Sequence, residues 1–118
     1  MDNSKQAFRD YLQLEKNYSK HTVHNYCADV DFFETFLKAE FDQDNLLEVN
    51  YSQIRSWIVS LVDAGISNVS VNRKISSLKS YYKFLLKSKQ IEVSPLLKHK
   101  ALKTPKKANS PPPFVLFV

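Results

Sequence analysis

Cations and small hydroxyl side chains share one face of the segment between Val69 and Gln90. At about 100° of rotation per residue, a helix there would place five of them opposite its apolar positions: Arg73, Ser76, Ser77, Ser80 and Lys83. Arginine and lysine bind phosphates or base edges, and small hydroxyl side chains let a helix backbone approach a groove closely. The segment contains no acid, whereas an ordinary solvated helix face interleaves Glu with Lys. The pattern therefore predicts contact with a nucleic acid.

The charge of the whole chain is divided in the same sense. Residues 1–67 hold 6 Lys and Arg and 11 Asp and Glu, a net charge of −5. Residues 68–118 hold 11 Lys and Arg and one acid, Glu92, a net charge of +10. Such asymmetry is expected of a chain that meets a polyanion along one edge, and Asn72 and Lys79 flank the face that would meet it. The alternative is a Lys-rich surface that is merely solvated.

The start of a second predicted helix, near residue 20, offers a further candidate surface. His21, His24 and Asn25 lie there on the side away from the apolar positions, with Lys20 and Thr22 beside them. The exposed N–H groups and the dipole of a helix N-terminus attract phosphate. Asp29, Asp31 and Glu34 follow and would repel DNA, so only the first two turns could touch it. The alternative is that these are capping and surface residues.

The scarcity of glycine and proline indicates which elements position these side chains. Gly65 is the single glycine and no proline precedes Pro95, whereas strand-rich domains need many tight turns. The sequence instead predicts four helices, over about residues 4–16, 20–40, 51–64 and 68–87. Gly65 is predicted to end the third helix in a left-handed conformation. Polar side chains are predicted to cap the starts of the last three helices: Ser19, Asn50 with Gln53, and Ser67.

Apolar positions repeat every three or four residues along each predicted helix, as one buried helix face requires. The stripes are Phe8, Tyr11 and Leu12 in the first helix; Val23, Tyr26, Cys27, Val30, Phe33 and Leu37 in the second; Ile54, Trp57, Ile58, Leu61 and Val62 in the third; and Val71, Ile75, Leu78, Tyr82 and Leu85 in the fourth. Four such stripes predict an all-α fold, a four-helix bundle around a single core.

Several classes of protein and site are disfavoured by the composition. A single cysteine, Cys27, allows no intramolecular disulfide, and no apolar run approaches the roughly 18 residues of a membrane helix. The polar N-terminus lacks the apolar stretch of a signal peptide, so the sequence predicts a cytoplasmic protein without membrane partners. His21, His24 and Cys27 rotate by about 60° at each step and do not converge on a metal. No metal and no cofactor is predicted.

Four sequence patterns, in order along the chain, carry a family resemblance. Residues 22–37 resemble the "nT...Y..dl..f..fl" helix of tyrosine recombinases, and residues 65–85 resemble the segment "s..Ti.rrlsalr.fy.fL". Residues 91–96 resemble the closing "g.i..NP", with Ser94 in place of the usual Asn, and residues 103–107 resemble the basic start of the interdomain linker. The chain is therefore similar to the N-terminal core-binding domain of Xer-like or phage-integrase-like tyrosine recombinases.

The resemblance implies a fold and a set of DNA contacts. Residues 1–100 would form a SAM-like four-helix bundle that closes with a short C-terminal turn, and residues 101–118 a basic linker and tail that lead to a catalytic domain outside this sequence. The second and fourth helices would approach the major groove of double-stranded DNA, gripping one face of the recombination site. Position by position, the resemblance assigns Thr22 to the motif threonine and adds basic residues of the fourth helix and the linker: Arg73, Lys74, Lys79, Lys103, Lys106 and Lys107.

The residues of strand exchange are not found in the chain. The family uses a tyrosine nucleophile with an Arg, Lys, His-x-x-Arg and His/Trp set, because the transition state needs charge neutralisation and proton transfer. This chain has three arginines and no His-x-x-Arg, so it is predicted to bind DNA without cutting it. Other recombinase protomers, assembled in a tetramer, are implied partners. The alternative is a helical protein–protein interaction domain with a solubilising basic edge, which leaves Arg73 and Lys79 free to change.

Overall fold

A computed structural model describes the backbone of residues 3–103 and the side-chain burial of residues 5–103. Helix α1 (Asn3–Asp10) continues into one π-helical stretch (Tyr11–Glu15), and α2 (Lys20–Phe41) follows after a short bend. A 3-10 turn (Leu46–Glu48) precedes α3 (Tyr51–Asp63) and α4 (Asn68–Lys87). Residues 3–103 contain no strand, which confirms the predicted all-α class with four helices. None of these helices has the length and apolarity that crossing a membrane requires.

The predicted capping side chains begin three of the helices. The Ser19 hydroxyl accepts a hydrogen bond from the Thr22 N–H at 3.2 Å, and the Ser67 hydroxyl accepts one from the Ser70 N–H at the same distance. At α3, the Asn50 and Gln53 side chains each accept from the other's backbone N–H, at 3.0 and 3.1 Å. These contacts satisfy N–H groups that a helix start otherwise leaves unpaired.

Gly65 joins α3 to α4 in a tight turn. Its φ of +90° lies in the region that favours glycine, as the sequence predicted. The Gly65 N–H donates to the Val62 carbonyl at 3.0 Å, and the Ile66 N–H donates to the Leu61 carbonyl at 3.1 Å. This pair of bonds is a Schellman motif, which satisfies carbonyls at the helix end. Two residues later Ser67 caps α4, so the turn fixes the direction in which α4 leaves.

One apolar core fills the space between the helices, and α4 crosses its centre. Every member of the predicted α4 stripe is at most 2% exposed. Trp57 of α3 packs against Phe33 of α2 with ring centroids 5.0 Å apart, and Phe8 of α1 meets Tyr81 of α4 at 5.2 Å. Val62 is the exception to the α3 stripe: it is 43% exposed, because it lies at the end of the stripe, at a groove on the outer side of α3.

Helices α2 and α4 pack side by side in opposite directions. The Asp29 carboxylate bonds to Ser77, and one turn further along α2 the Phe32 ring lies under the Lys74 ammonium, 5.3 Å from its centroid. Residue numbers therefore rise along α2 in the direction in which they fall along α4. This antiparallel arrangement places the N-terminal end of α2 beside the C-terminal half of α4.

The segment after α4, residues 94–103, turns back and runs along that helix, and is called the returning segment below. Two turns at Ser94–Leu97 and Leu96–His99 reverse the chain, and Leu96 is buried against the core. The segment then reaches the first turns of α4, where Asn72 bonds to the backbone of Leu102. The predicted short C-terminal turn is thereby confirmed, and α4 has a third side covered by the chain's own continuation.

Candidate nucleic-acid interface

The outward side of α4 presents exposed cations. Arg73, Ser76 and Lys83 are all exposed, and within residues 5–103 neither Arg73 nor Lys83 forms an ion pair. Ser80 is half-buried at the edge of the same side, close to Tyr26 of α2. An unpaired guanidinium and an unpaired ammonium on one helix side can each neutralise a phosphate.

Ser77 does not belong to this side, and the expectation that it would is wrong. It is 2% exposed, and its hydroxyl donates to the Asp29 carboxylate at 2.6 Å. The prediction assumed one buried stripe on α4. In the bundle α4 packs against α2 as well as α3, so its buried arc is wider than the apolar stripe and includes a serine.

The Asn72 side chain is hydrogen-bonded to the chain itself, and its DNA contact stays a prediction. Its side-chain N–H donates to the Leu102 carbonyl at 3.0 Å, and its side-chain oxygen accepts from the Leu102 N–H at 2.9 Å. One turn earlier, Asn68 donates to the Lys103 carbonyl at 2.8 Å. The two side-chain amides hydrogen-bond to the backbone of the returning segment, as the backbone of a neighbouring strand would. The sequence offered no signal for Asn68, because its partner lies 35 residues away.

Lys74 is held inside an ion pair. Its ammonium lies 3.5 Å from the Asp29 carboxylate and 5.3 Å from the centre of the Phe32 ring. About a quarter of the Lys74 side chain is exposed, and about a fifth of the Asp29 side chain. Its charge is therefore already compensated within the protein, unlike that of Arg73.

Lys79 and His99 mark the side of α4 that the returning segment covers. Lys79 is exposed. Burial first, and then the positive charge of Lys79, lowers the pKa of His99 below its ordinary value. A His99 ring nitrogen, Nδ1, lies 2.9 Å from the Tyr51 hydroxyl of α3. Lys79 thus borders the segment that leads to the linker lysines.

The N-terminal end of α2 presents the second predicted cluster. Lys20, His21, His24 and Asn25 are exposed, and Asn25 bonds to the His21 ring at 3.3 Å. Thr22 is half-buried and accepts a hydrogen bond from the Ser19 hydroxyl at 3.0 Å, so it also takes part in the cap. Because α2 and α4 are antiparallel, this end lies beside the half of α4 that carries Ser80 and Lys83.

The acids further along α2 are partly compensated. The Lys5 ammonium lies 2.7 Å from Asp31 and 2.6 Å from Glu34. Burial works against the charge of Lys5, but the hydrogen bonds and the attraction of both carboxylates raise its pKa above its ordinary value. Lys5 is 26 and 29 residues from its partners, so no local pattern pointed to it. The repulsion expected from this stretch is weaker than the sequence alone suggested.

The geometry agrees with a known domain. The family model described as phage integrase, N-terminal SAM-like domain, matches residues 6–89. The chain belongs to this family. The resemblance drawn from the sequence patterns is thereby confirmed, and so is the SAM-like four-helix bundle.

Curated relatives of this SAM-like domain are tyrosine recombinases. The tyrosine recombinase XerC of Bacillus subtilis (strain 168) is 40% identical over 88 residues, which cover 75% of this chain and 29% of the relative. That of Anoxybacillus flavithermus (strain DSM 21510 / WK1) is 42% identical over 89 residues, 75% of this chain and 29% of the relative. That of Halalkalibacterium halodurans (strain ATCC BAA-125 / DSM 18197 / FERM 7344 / JCM 9153 / C-125) is 34% identical over 110 residues, 92% of this chain and 35% of the relative.

The chain spans about a third of the length of these relatives. No solved structure matches it significantly. The boundary predicted near residue 100 and the linker beyond it stay predictions. Lys103 is exposed where the described chain ends, and Lys106 and Lys107 lie outside the described residues.

The buried titratable groups of this SAM-like domain are core components. Cys27 is 8% exposed, and burial raises the pKa of its thiol. Tyr82 is 1% exposed, its hydroxyl donates to the Leu46 carbonyl at 2.9 Å, and burial raises its pKa. Tyr26 is half-buried at the rim of the core, and burial first and Tyr18 second raise its pKa. Within residues 3–103 no cluster of three or more His, Cys, Asp or Glu could hold a metal ion.

Proposed function

We propose that this chain is the DNA-binding N-terminal domain of a site-specific tyrosine recombinase. The single observation that carries the proposal is the outward side of α4, where Arg73 and Lys83 are exposed and unpaired beside Ser76. Membership in the phage integrase SAM-like family and the names of the relatives supply the reaction class.

Two surfaces would meet the same stretch of duplex. The outward side of α4 would follow the major groove, with Arg73, Ser76, Ser80 and Lys83 on phosphates or base edges. The N-terminal end of α2, which lies beside the C-terminal half of α4, would hold the adjacent phosphate through its free N–H groups, because a helix N-terminus favours an anion. Lys20, His21, Thr22, His24 and Asn25 are the side chains that would surround that phosphate.

The returning segment would extend the contact along the sugar-phosphate backbone of the DNA. Lys79 borders this segment, and Lys103 continues it toward the linker lysines Lys106 and Lys107. These cations would add affinity that does not depend on base sequence, because phosphates are the same along any duplex.

The whole protein would carry out DNA strand exchange in the bacterial cytoplasm. The catalytic residues would lie in the part of the relatives that this chain does not match, which is most of their length. Further protomers in a tetrameric synapse would be its protein partners. Light scattering of a full-length relative with duplexes carrying two recombination sites would test the tetramer, and a protein that stays monomeric on such DNA would contradict it.

The DNA contact can be tested by fluorescence anisotropy of this chain with labelled duplex DNA across a salt series. We expect affinity to fall steeply as salt rises, since each neutralised phosphate contributes about 0.9 to the slope of log K against log salt. The double variant Arg73→Gln/Lys83→Gln should therefore flatten the slope by about 1.8. The matched control is Arg9→Gln/Arg55→Gln, which removes the same two charges from exposed positions elsewhere, neither of them in an ion pair within residues 5–103.

Three outcomes distinguish DNA binding through α4 from binding through net charge alone and from no DNA binding. A flatter slope in the α4 variant and an unchanged slope in the control would support the proposed interface. Equal flattening in both variants would mean that only net charge matters and that the α4 assignment is wrong. Absence of binding at low salt would refute DNA binding by this chain and favour the protein–protein interaction alternative.

A further inference from the structure

A carboxylate lies among the cations of the proposed interface, where DNA binding by itself would not place one. Asp29 comes from α2 and bonds to two side chains of α4, accepting from the Ser77 hydroxyl at 2.6 Å and from the Lys74 ammonium at 3.5 Å. It also lines a cavity of about 270 Å³ together with Ile66, Ser70, Arg73 and Lys74. Asp29 is therefore both a joint between two helices and a negative charge next to Arg73.

The pair changes what Lys74 can do at a phosphate. Two groups contact its ammonium, the Asp29 carboxylate and the face of the Phe32 ring, and the Lys74 side chain also lines the cavity. A lysine that binds DNA releases a counterion from a phosphate, but a lysine already paired with a carboxylate would have to break that pair first. Side-chain charge on the partly buried pair is also screened less by salt than charge on the open surface.

We infer that Asp29 is a specificity-determining residue of the DNA interface: it withholds Lys74 from phosphates and thereby lowers sequence-independent affinity. This inference rests on the proposed DNA-binding function. Phosphate contacts raise affinity for every duplex alike, whereas base contacts discriminate. Removing one cation from the phosphate contacts therefore lowers binding to unrelated DNA and leaves base contacts from Arg73 or Ser76 in place.

The test uses the carboxamide variant Asp29→Asn in the whole chain. Its amide oxygen can still accept from the Ser77 hydroxyl, so the joint between α2 and α4 keeps its hydrogen bond, while the ion pair with Lys74 is lost. The cavity beside the pair gives the released lysine room to reach outward. On a duplex of unrelated sequence, the salt slope should steepen by about 0.9, and affinity should rise about eightfold near 0.1 M salt.

Two further variants make the test specific. Asp31→Asn adds the same positive net charge on the same helix, but its partner is Lys5 of α1, so it should leave the slope unchanged. Lys74→Gln alone should change the slope little, because Lys74 is already paired, and in the Asp29→Asn background it should return the slope to that of the unaltered chain. Circular dichroism melting of each variant establishes that it is folded before binding is measured.

The failure of this inference differs from the failure of the proposed function. If Lys74→Gln alone flattens the slope as much as Arg73→Gln does, Lys74 contacts phosphate despite its partner and the inference is wrong. Equal effects of Asp29→Asn and Asp31→Asn would also refute it, leaving the DNA-binding function in place. If the unaltered chain binds no duplex at low salt, both the function and the inference fall.

Discussion

The inward and outward sides of α4 belong to one helix of 20 residues, but the inward side must exclude water and the outward side must keep its charges exposed. Inward, Val71, Ile75 and Leu78 are at most 2% exposed and fill the centre of the core. Outward, Arg73 and Lys83 are exposed and carry no ion pair within residues 5–103. Changes in side-chain volume on the inward side should alter the stability of the fold and leave the salt dependence of DNA binding unchanged. Changes of charge on the outward side should alter that salt dependence and leave the stability unchanged. One helix thus stabilises the fold and presents the proposed DNA surface with separate sets of side chains.

Between these sides lies a third, which faces the returning segment. The side-chain amides of Asn68 and Asn72 hydrogen-bond to backbone groups of Lys103 and Leu102. Contacts of this kind position the chain and contribute neither to the apolar core nor to an exposed charge. The three sides predict three different responses to substitution.

The largest expected effect comes from the inward side. Leu78→Ala should lower the free energy of unfolding by about 2–5 kcal/mol, because the side chain is fully buried and its removal leaves a cavity. Urea unfolding followed by circular dichroism measures the loss. Leu86→Ala is the matched control on the same helix, since Leu86 is 36% exposed, and it should cost clearly less. Equal losses would contradict the division of α4 into an inward and an outward side.

An intermediate effect is expected on the third side. Asn72→Ala removes both hydrogen bonds to Leu102 and should cost about 1–3 kcal/mol, at about 0.5–1.5 kcal/mol for each bond. The loss should be local: the Leu102 amide should exchange its hydrogen faster, while amides of the α4 core keep their protection. Asn25→Ala, an exposed amide on α2, is the control. Uniformly faster exchange across α4 would mean that Asn72 supports the whole bundle instead.

The smallest effect on stability is expected on the outward side. Arg73→Gln/Lys83→Gln should change the free energy of unfolding by no more than about 0.5 kcal/mol, because neither side chain is buried or paired. The same variant is expected to flatten the salt dependence of DNA binding. A destabilisation comparable with that of Leu78→Ala would show that the two cations help to hold the fold, and the separation of the two sides would fail.

Local signals account for the part of this molecule that could be predicted. Caps at Ser19, Asn50 and Ser67 depend on contacts three residues away, and the apolar stripes repeat within single helices. The left-handed Gly65 follows from the absence of a side chain at a helix end. The departures are also instructive: Val62 lies at the end of its stripe, where the core no longer covers α3.

The four helices, most of their core-facing positions and the family could be predicted from the amino-acid sequence alone, because each depends on neighbours within a few positions or on an ordered motif. Which polar side chains of α4 stay available depends on contacts between distant parts of the chain. Ser77, Lys74 and Asn72 have partners 48, 45 and 30 residues away. The rotation of a helix tells which way a side chain points relative to its own stripe, but not what another helix brings there. A carboxylate from α2 and a backbone segment after α4 took up three residues that the pattern had assigned to DNA.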